Sequence, residues 1–327
     1  MDSGERHLPS HGCKKAMVTV LAETLLPIFT IIALGSWLQT KQLLSRELSR
    51  ELNKLVYYVA IPAMLVTKLE QASFASSFTP ATLGAATAAL PLVWLQARWI
   101  ARRLFEHHGR RATFVQCCIH GNLGYLGYAV AYYALNEEAF RQTVVLGGFL
   151  MIEQNVLAIL AYTARDSSAG KRPKLLPMFR PVLENPVILS VLMGLMLALG
   201  GWRLPLPLQR SLTILAGMSF PMALLLIGAG LAFGEVHTAG RELLAIGFMK
   251  LVLLPLTGWV LLYAFGAPGG SLLPALILLA SPPATVTYVF ATGMNGDPEL
   301  AAAAVSLHTL LSALAYGLLL VLVPVLG

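Results

Sequence analysis

The chain has 327 residues, of which 57% are apolar and 12% charged, and its mean hydropathy is +0.71. Soluble globular proteins have about a quarter charged residues, so this composition excludes an ordinary water-soluble enzyme. The formal net charge of +7 does not indicate nucleic-acid binding, because most basic residues lie in short gaps between apolar runs, where they orient membrane helices. The composition therefore predicts an all-α membrane protein.

The apolar runs predict ten transmembrane helices, since about 20 apolar residues cross a bilayer. A polar N-terminal tail, residues 1–16, precedes them, and no small-residue cleavage site follows the first run, which we therefore expect to be retained. A polar linker, residues 165–183, separates two sets of five, residues 17–164 and 184–326. The predicted spans are residues 17–38, 52–70, 80–100, 112–134, 142–164, 184–201, 209–233, 242–264, 272–293 and 299–325.

The basic residues predict the orientation of these helices. The odd-numbered gaps, counted with the three residues at each adjoining span end, contain 15 of the 23 Lys and Arg residues, whereas the N-terminal tail and the even-numbered gaps, counted in the same way, contain 7. Because Lys and Arg are enriched in cytoplasmic loops, the odd gaps and the linker are predicted to be cytoplasmic. Both termini are then on the non-cytoplasmic side.

An internal repeat relates the two sets of five helices. Three residues of the first set recur 159 positions later: Pro27, Gly35 and Pro62 correspond to Pro186, Gly194 and Pro221. An odd number of spans in each half makes the two halves inverted in the membrane, an arrangement known in secondary transporters.

The same offset relates two strings that break helices in the fourth span of each half. Asn122 lies in "HGNLGYLGYAV", between Gly121 and Gly124, and corresponds to Ser281 in "ASPPATVTYVFA". Glycines weaken a helix, and consecutive prolines remove amide donors and clash with the preceding turn. Paired breaks in corresponding spans indicate a transporter's binding site, and the positive N-terminal ends of half-helices favour an anion as the ligand.

These motifs, together with "MKLVLLPLTGW" in span eight, resemble the auxin efflux carrier family of membrane transporters in its bacterial branch. The resemblance runs from about Met17 to Leu326. It implies two inverted five-helix repeats in which helices 4 and 9 are interrupted and cross. It also implies that helices 1, 2, 6 and 7 form a scaffold, often dimeric, against which helices 3–5 and 8–10 move as an elevator.

The resemblance further implies small organic anions as substrates, such as auxin in plants and malate or malonate in bacteria. Its substrate contacts correspond to Asn122, to Pro282 and Pro283, and to the polar residues after them. Thr285 and Thr287 stand here where many bacterial members have "PxAVN". The predicted substrate-binding set is therefore Gly121, Asn122, Gly124, Ser281, Pro282, Pro283, Thr285 and Thr287.

Ionisable and amide side chains inside the spans are costly, so each is a candidate for function. Glu153 lies mid-span beside Asn155 and either carries a coupled proton or is an acid satisfied by its neighbours; the sequence leaves both open. His120, which precedes the glycine break, either joins the site or is a hydrogen-bonded structural histidine. For Lys250 the simpler interpretation is that its long side chain snorkels to the cytoplasmic surface, and the alternative is a contact with the transported anion.

The residues predict neither a metal site nor a cofactor. Cys117, Cys118 and His120 lie within one helical turn without a second group of ligands. We expect the three cysteines, including Cys13, to be free thiols, because adjacent cysteines do not form an unstrained disulfide. Since no paired catalytic motif is present, we do not expect an enzyme.

The sequence therefore predicts a secondary transporter of a small organic anion in the bacterial inner membrane, working by alternating access. A proton or sodium ion is the candidate coupled ion, and the scaffold a candidate homodimer interface. The alternative is a ligand-sensing membrane receptor or a channel without coupled transport. Substrate, direction and coupling are not fixed by the sequence.

Overall fold

A computed structural model describes residues 21–70, 79–163, 184–233 and 239–326. The predicted tail, residues 1–16, and the predicted linker, residues 165–183, lie outside these ranges. The described part of the chain is helical. Its helices in the first half are α1 (Leu26–Thr40), α2 (Arg46–Leu69), α3 (Pro80–Leu104), α4a (His108–Ile119), α4b (Tyr128–Ala134) and α5 (Glu137–Thr163).

The second half contains six further segments: α6 (Pro186–Leu199), α7 (Leu206–Ala229), α8 (Gly240–Ala264), α9a (Gly269–Leu279), α9b (Val286–Gly293) and α10 (Pro298–Leu326). Within the described residues, six helices are long and apolar enough to cross a membrane, namely α1 together with the turn before it (Ala22–Thr40), α2, α5, α7, α8 and α10. The all-α membrane class is confirmed. The count of ten spans stays a prediction.

Several helix ends differ from the predicted spans because polar residues extend the helices. Helix α2 begins at Arg46, six positions before the predicted start, and the Ser45 hydroxyl caps it by accepting a hydrogen bond from the Leu48 N–H at 3.2 Å. Helix α10 begins at Pro298, as the turn "NGDPEL" indicates, and the Asp297 carboxylate accepts from the Leu300 N–H at 2.9 Å.

Prolines produce π-helical turns in three of the long helices. These turns, Leu21–Leu25, Val56–Ala60 and Phe248–Leu253, each end two residues before a proline, at Pro27, Pro62 and Pro255. A proline lacks an N–H and clashes with the carbonyl of the preceding turn, so the helix widens there instead of breaking.

Small residues bring pairs of helices into close contact. Helix α1 packs against α7, where Gly35 lies against the Leu225 carbonyl and Gly228 against the Ile32 carbonyl. Helix α6 packs against α2, where Gly194 lies against the Leu69 side chain. Helix α3 packs between α4a and α8 with a stripe of buried alanines, and α10 contacts α4a, α9a and α9b. Such close approach is the usual way in which membrane helices associate.

Candidate functional site

The two interrupted helices meet at their breaks. Helix α4a ends at Ile119 and the chain resumes as a π turn at Leu123, whereas α9a ends at Leu279 and α9b begins at Val286. The intervening residues His120–Asn122 and Ser281–Ala284, called the seam below, run antiparallel and form one β-bridge between Gly121 and Pro283. The sequence prediction that both strings interrupt a helix is confirmed.

Backbone hydrogen bonds hold the seam together. The Asn122 N–H donates to the Pro282 carbonyl at 2.8 Å, and the Ala284 N–H donates to the His120 carbonyl at 3.0 Å. In a bilayer, backbone groups freed by a helix break must be satisfied inside the protein. The two breaks satisfy each other, which explains why they occur together.

A side chain of α5 completes the hydrogen bonding of the first break. The Gly121 N–H donates to Gln154 Oε1 at 3.0 Å, and Gln154 Nε2 donates to the Gly121 carbonyl at 3.2 Å. Gln154 is 4% exposed. Gln154 is not among the predicted site residues, although its place in the polar mid-span triplet Glu153, Gln154 and Asn155 was the available signal.

The other polar residues of that triplet do not form hydrogen bonds with the seam. Asn155 Nδ2 donates to the Met151 carbonyl of its own helix at 2.6 Å. Glu153 is partly buried, and its buried Oε2 has no hydrogen-bond partner within the described residues. Their predicted role in coupling stays a prediction.

The backbone groups of Asn122 are bonded within the described part of the protein, but its side-chain amide is not. Its backbone is fully used, because the N–H binds Pro282 and the carbonyl accepts from Leu126 and Gly127. Its amide has no hydrogen-bond partner among the described residues, and the residue is 7% exposed. An amide that can both donate and accept is therefore available beside the seam.

At the second break, the hydroxyl of the predicted site residue Ser281 is occupied by hydrogen bonds inside the protein. Its hydroxyl donates to the Ile277 carbonyl at 3.1 Å and accepts from the Tyr316 hydroxyl at 3.1 Å, and it lies against Gly127. Ser281 is fully buried. These contacts join α9a, α10 and the π turn before α4b.

The remaining predicted site residues lie around the seam in different environments. Gly124 lies beside the Met151 side chain of α5. Thr285 is exposed at the start of α9b, and Thr287 is fully buried with a hydroxyl that has no partner in the described structure. His120 is buried, and its Nδ1 lies 3.3 Å from Gln116 Nε2.

Lys250 reaches the seam, and the interpretation that it snorkels to the surface is wrong. Its side chain is 1% exposed, and Nζ donates to the Leu279 carbonyl at 2.8 Å. That carbonyl lacks its helical donor because the residue four positions later is Pro283. The rule that an ionisable residue inside a membrane is functional by default pointed to Lys250 from the sequence.

His308 links two helices away from the seam. Its Nδ1 lies 2.7 Å from the Ala304 carbonyl of its own helix, and its Nε2 lies 3.0 Å from the Leu243 carbonyl of α8. Cys117 and Cys118 are buried free thiols, and Cys13 lies outside the described residues. Among the described residues, no group of three His, Cys, Asp or Glu is placed to hold a metal ion.

A cavity of about 730 Å³ opens at the end of the bundle where α4a, α9b and α10 meet the end of α7. Its lining includes His107, Arg110, Tyr288, Asp297 and Glu299. Arg110 forms ion pairs with Glu242 at 3.4 Å and with Asp297 at 3.3 Å. The cavity therefore has a mixed polar lining at the end that bears the basic gap between α3 and α4a.

The chain was compared with known proteins. The family model for "Membrane transport protein" matches residues 20–320. The chain is 29% identical over 297 residues to a protein of Rhizobium meliloti (strain 1021) named "Putative malonate transporter", covering 88% of this chain and 91% of that protein.

Two further relatives are more distant. The chain is 24% identical over 283 residues to "Uncharacterized transporter YfdV" of Escherichia coli (strain K12), covering 85% of this chain and 90% of the relative. It is 22% identical over 299 residues to an "Uncharacterized transporter" of Methanothermobacter thermautotrophicus, covering 89% and 94%. Because the family model spans nearly the whole chain, the protein belongs to this membrane transport family, the auxin efflux carriers.

Proposed function

We propose that the protein is a secondary carrier of a small organic anion that binds at the seam. The observation that supports this most directly is the pair of interrupted helices joined by hydrogen bonds, with the unpartnered amide of Asn122 beside them. Interrupted helices of this kind form substrate sites in secondary transporters. The half-helix α9b begins beside the seam, and its N-terminal end favours a carboxylate.

We propose that the substrate is a small mono- or dicarboxylate, in the class of auxin, malate or malonate. The name of the Rhizobium relative supports a dicarboxylate such as malonate. A carboxylate matches the donors available at the seam, namely the Asn122 amide and the exposed Thr285 hydroxyl.

The transport movement that we propose is an elevator within two inverted five-helix repeats. The close contacts support the repeat: Gly35 of α1 lies against the Leu225 backbone of α7, and Gly194 of α6, 159 residues later, lies against Leu69 of α2. In an inverted repeat, α1 corresponds to α6 and α2 to α7, so the contact between α1 and α7 has its equivalent in the contact between α6 and α2. In this proposal α1, α2, α6 and α7 are the scaffold, which is also the proposed dimer interface, and the remaining helices move with the seam.

The driving force follows from the charge of the substrate. One elementary charge gains or loses about 2.3 kcal/mol in moving through 100 mV. An inside-negative membrane potential therefore favours export of an anion, and uptake requires a coupled cation. Glu153 is the proposed proton carrier, because its partly buried carboxylate has an unpartnered oxygen. We place the protein in the bacterial inner membrane with both termini outside.

Counterflow in proteoliposomes tests the proposal. Vesicles that contain unlabelled malonate, malate or indole-3-acetate should accumulate the labelled form of the same compound, because a carrier exchanges the two. Asn122→Ala should raise the KM for exchange by about tenfold, since a hydrogen bond to a charged group contributes about 1.5–3 kcal/mol. Specific binding without exchange would instead support a receptor, and flux that does not saturate would support a channel.

A further inference from the structure

Lys250 is a buried cation without an acidic partner. Its side chain is 1% exposed, and no carboxylate of the described residues lies within ion-pair distance of its Nζ. The Leu279 carbonyl is its hydrogen-bond acceptor, at 2.8 Å. An ammonium has three donors, so two of them have no partner in the described structure. A buried, unpaired charge is costly, which makes its presence at the seam informative.

The Lys250 ammonium lies where carriers with interrupted helices bind a coupled cation. The C-terminal end of a half-helix has a partial negative charge, and α9a ends at Leu279, whose carbonyl binds Nζ. Carriers with interrupted helices bind the coupled cation at such ends and at unwound carbonyls. A neutral donor would satisfy the carbonyl equally well as a hydrogen-bonding group, but this chain places there a lysine, whose ammonium form has a full positive charge.

The first break leaves room for this charge. A methyl group added to Gly121 would lie 3.1 Å from Lys250 Nζ and 3.2 Å from Ser281 Cβ. The absence of a side chain at position 121 therefore lets the ammonium lie against the seam. Asn122, the next residue, provides the unpartnered amide.

We propose that Lys250 is a resident counter-ion at the seam, which takes the place of a sodium ion at the end of α9a and neutralises one carboxylate of the transported anion. This inference rests on the proposed carrier function and adds the net charge of the loaded site. A monocarboxylate then gives a loaded site without net charge, and a dicarboxylate gives a loaded site with one negative charge. Carboxylates bind without sodium, whereas uncharged analogues bind weakly.

The experiment uses the full-length protein in proteoliposomes, with counterflow of labelled malonate, malate and indole-3-acetate. The Lys250→Met variant keeps the length of the side chain and removes its charge. The matched control is Lys54→Met, because Lys54 is exposed and pairs with Glu51 at 2.8 Å within α2. The malonate-induced rise in melting temperature is measured on each purified protein, since a ligand that binds the folded state stabilises it.

We expect Lys250→Met to raise the KM by about tenfold or more and to abolish the malonate-induced rise, because a charge-assisted contact is lost. Lys54→Met should behave as the wild type. In the wild type, replacing sodium with choline should leave exchange unchanged, a measurement that needs no variant and therefore stands even if Lys250→Met does not fold.

Three results oppose the proposal in different ways. Exchange by the wild type that requires sodium overturns it. A folded Lys250→Met protein with an unchanged KM also overturns it, while the carrier function stands. If the wild type exchanges none of the three anions and none raises its melting temperature, the carrier function itself is refuted, and the role of Lys250 with it.

Discussion

Gln154 should hold the first break in place, and the effect of removing its amide can be worked out from the structure. The side chain bridges the N–H and the carbonyl of Gly121, at 3.0 and 3.2 Å. Gln154→Leu has a similar volume and removes both bonds. We expect Gln154→Leu to lower the free energy of unfolding. We also expect the folded variant to exchange less substrate, because the seam is the proposed substrate site.

The two lost bonds are not equal. The Gly121 carbonyl also accepts from the Leu123 N–H at 2.9 Å, so it stays satisfied, whereas no second acceptor for the Gly121 N–H lies among the described residues. A buried donor without a partner costs about 1–3 kcal/mol, and the loss of a shared bond about 0.5–1.5 kcal/mol. The free energy of unfolding should therefore fall by about 2–4 kcal/mol.

The assay compares Gln154→Leu with Thr143→Val, which changes another buried polar residue of the same helix. The Thr143 hydroxyl donates to the Ala139 carbonyl within α5, so its loss should cost little. Melting temperature and counterflow are measured for both variants. Equal stability and equal exchange in the two proteins would refute the inference that Gln154 supports the seam.

Two further predictions concern coupling and helix packing. Glu153→Gln should abolish the pH dependence of uptake while the variant still exchanges substrate, since a neutral amide binds no coupled proton. Uptake is measured across imposed pH gradients. An unchanged pH profile would remove Glu153 from the mechanism. Gly35→Ala should lower the free energy of unfolding by about 1–3 kcal/mol or more, because an added methyl would overlap a carbonyl of α7. Gly269→Ala is its control, as that position faces open space, and equal melting temperatures would contradict the packing argument.

The breaks could be predicted from the sequence because they arise from local backbone chemistry. The prolines at 282 and 283 cannot donate to the preceding turn, and the glycines around Asn122 weaken the helix, whatever surrounds them. The structure accordingly ends α4a at Ile119 and α9a at Leu279, each within a few residues of the predicted interruption.

The side chains that face the seam could not be predicted in the same way. Glu153 and Gln154 are adjacent on α5 and therefore point about 100° apart around the helix, so the charge of Glu153 did not indicate that its neighbour Gln154 binds Gly121. Lys250 lies in the π turn Phe248–Leu253, which changes the residues that share a helix face. A periodicity of 3.6 residues cannot place a side chain in such a turn.

The two breaks differ in their chemistry at the seam. The offset pairs Asn122 with Ser281, yet the Asn122 amide is unpartnered while the Ser281 hydroxyl is bound by Ile277 and Tyr316. The second break contributes backbone instead, because its prolines leave the Leu279 carbonyl without a helical donor and Lys250 binds it. The seam therefore offers two chemically different contacts, an amide at Asn122 and an amine at Lys250, so the two ends of a dicarboxylate should meet different groups and selectivity should depend on Asn122 and Lys250 separately.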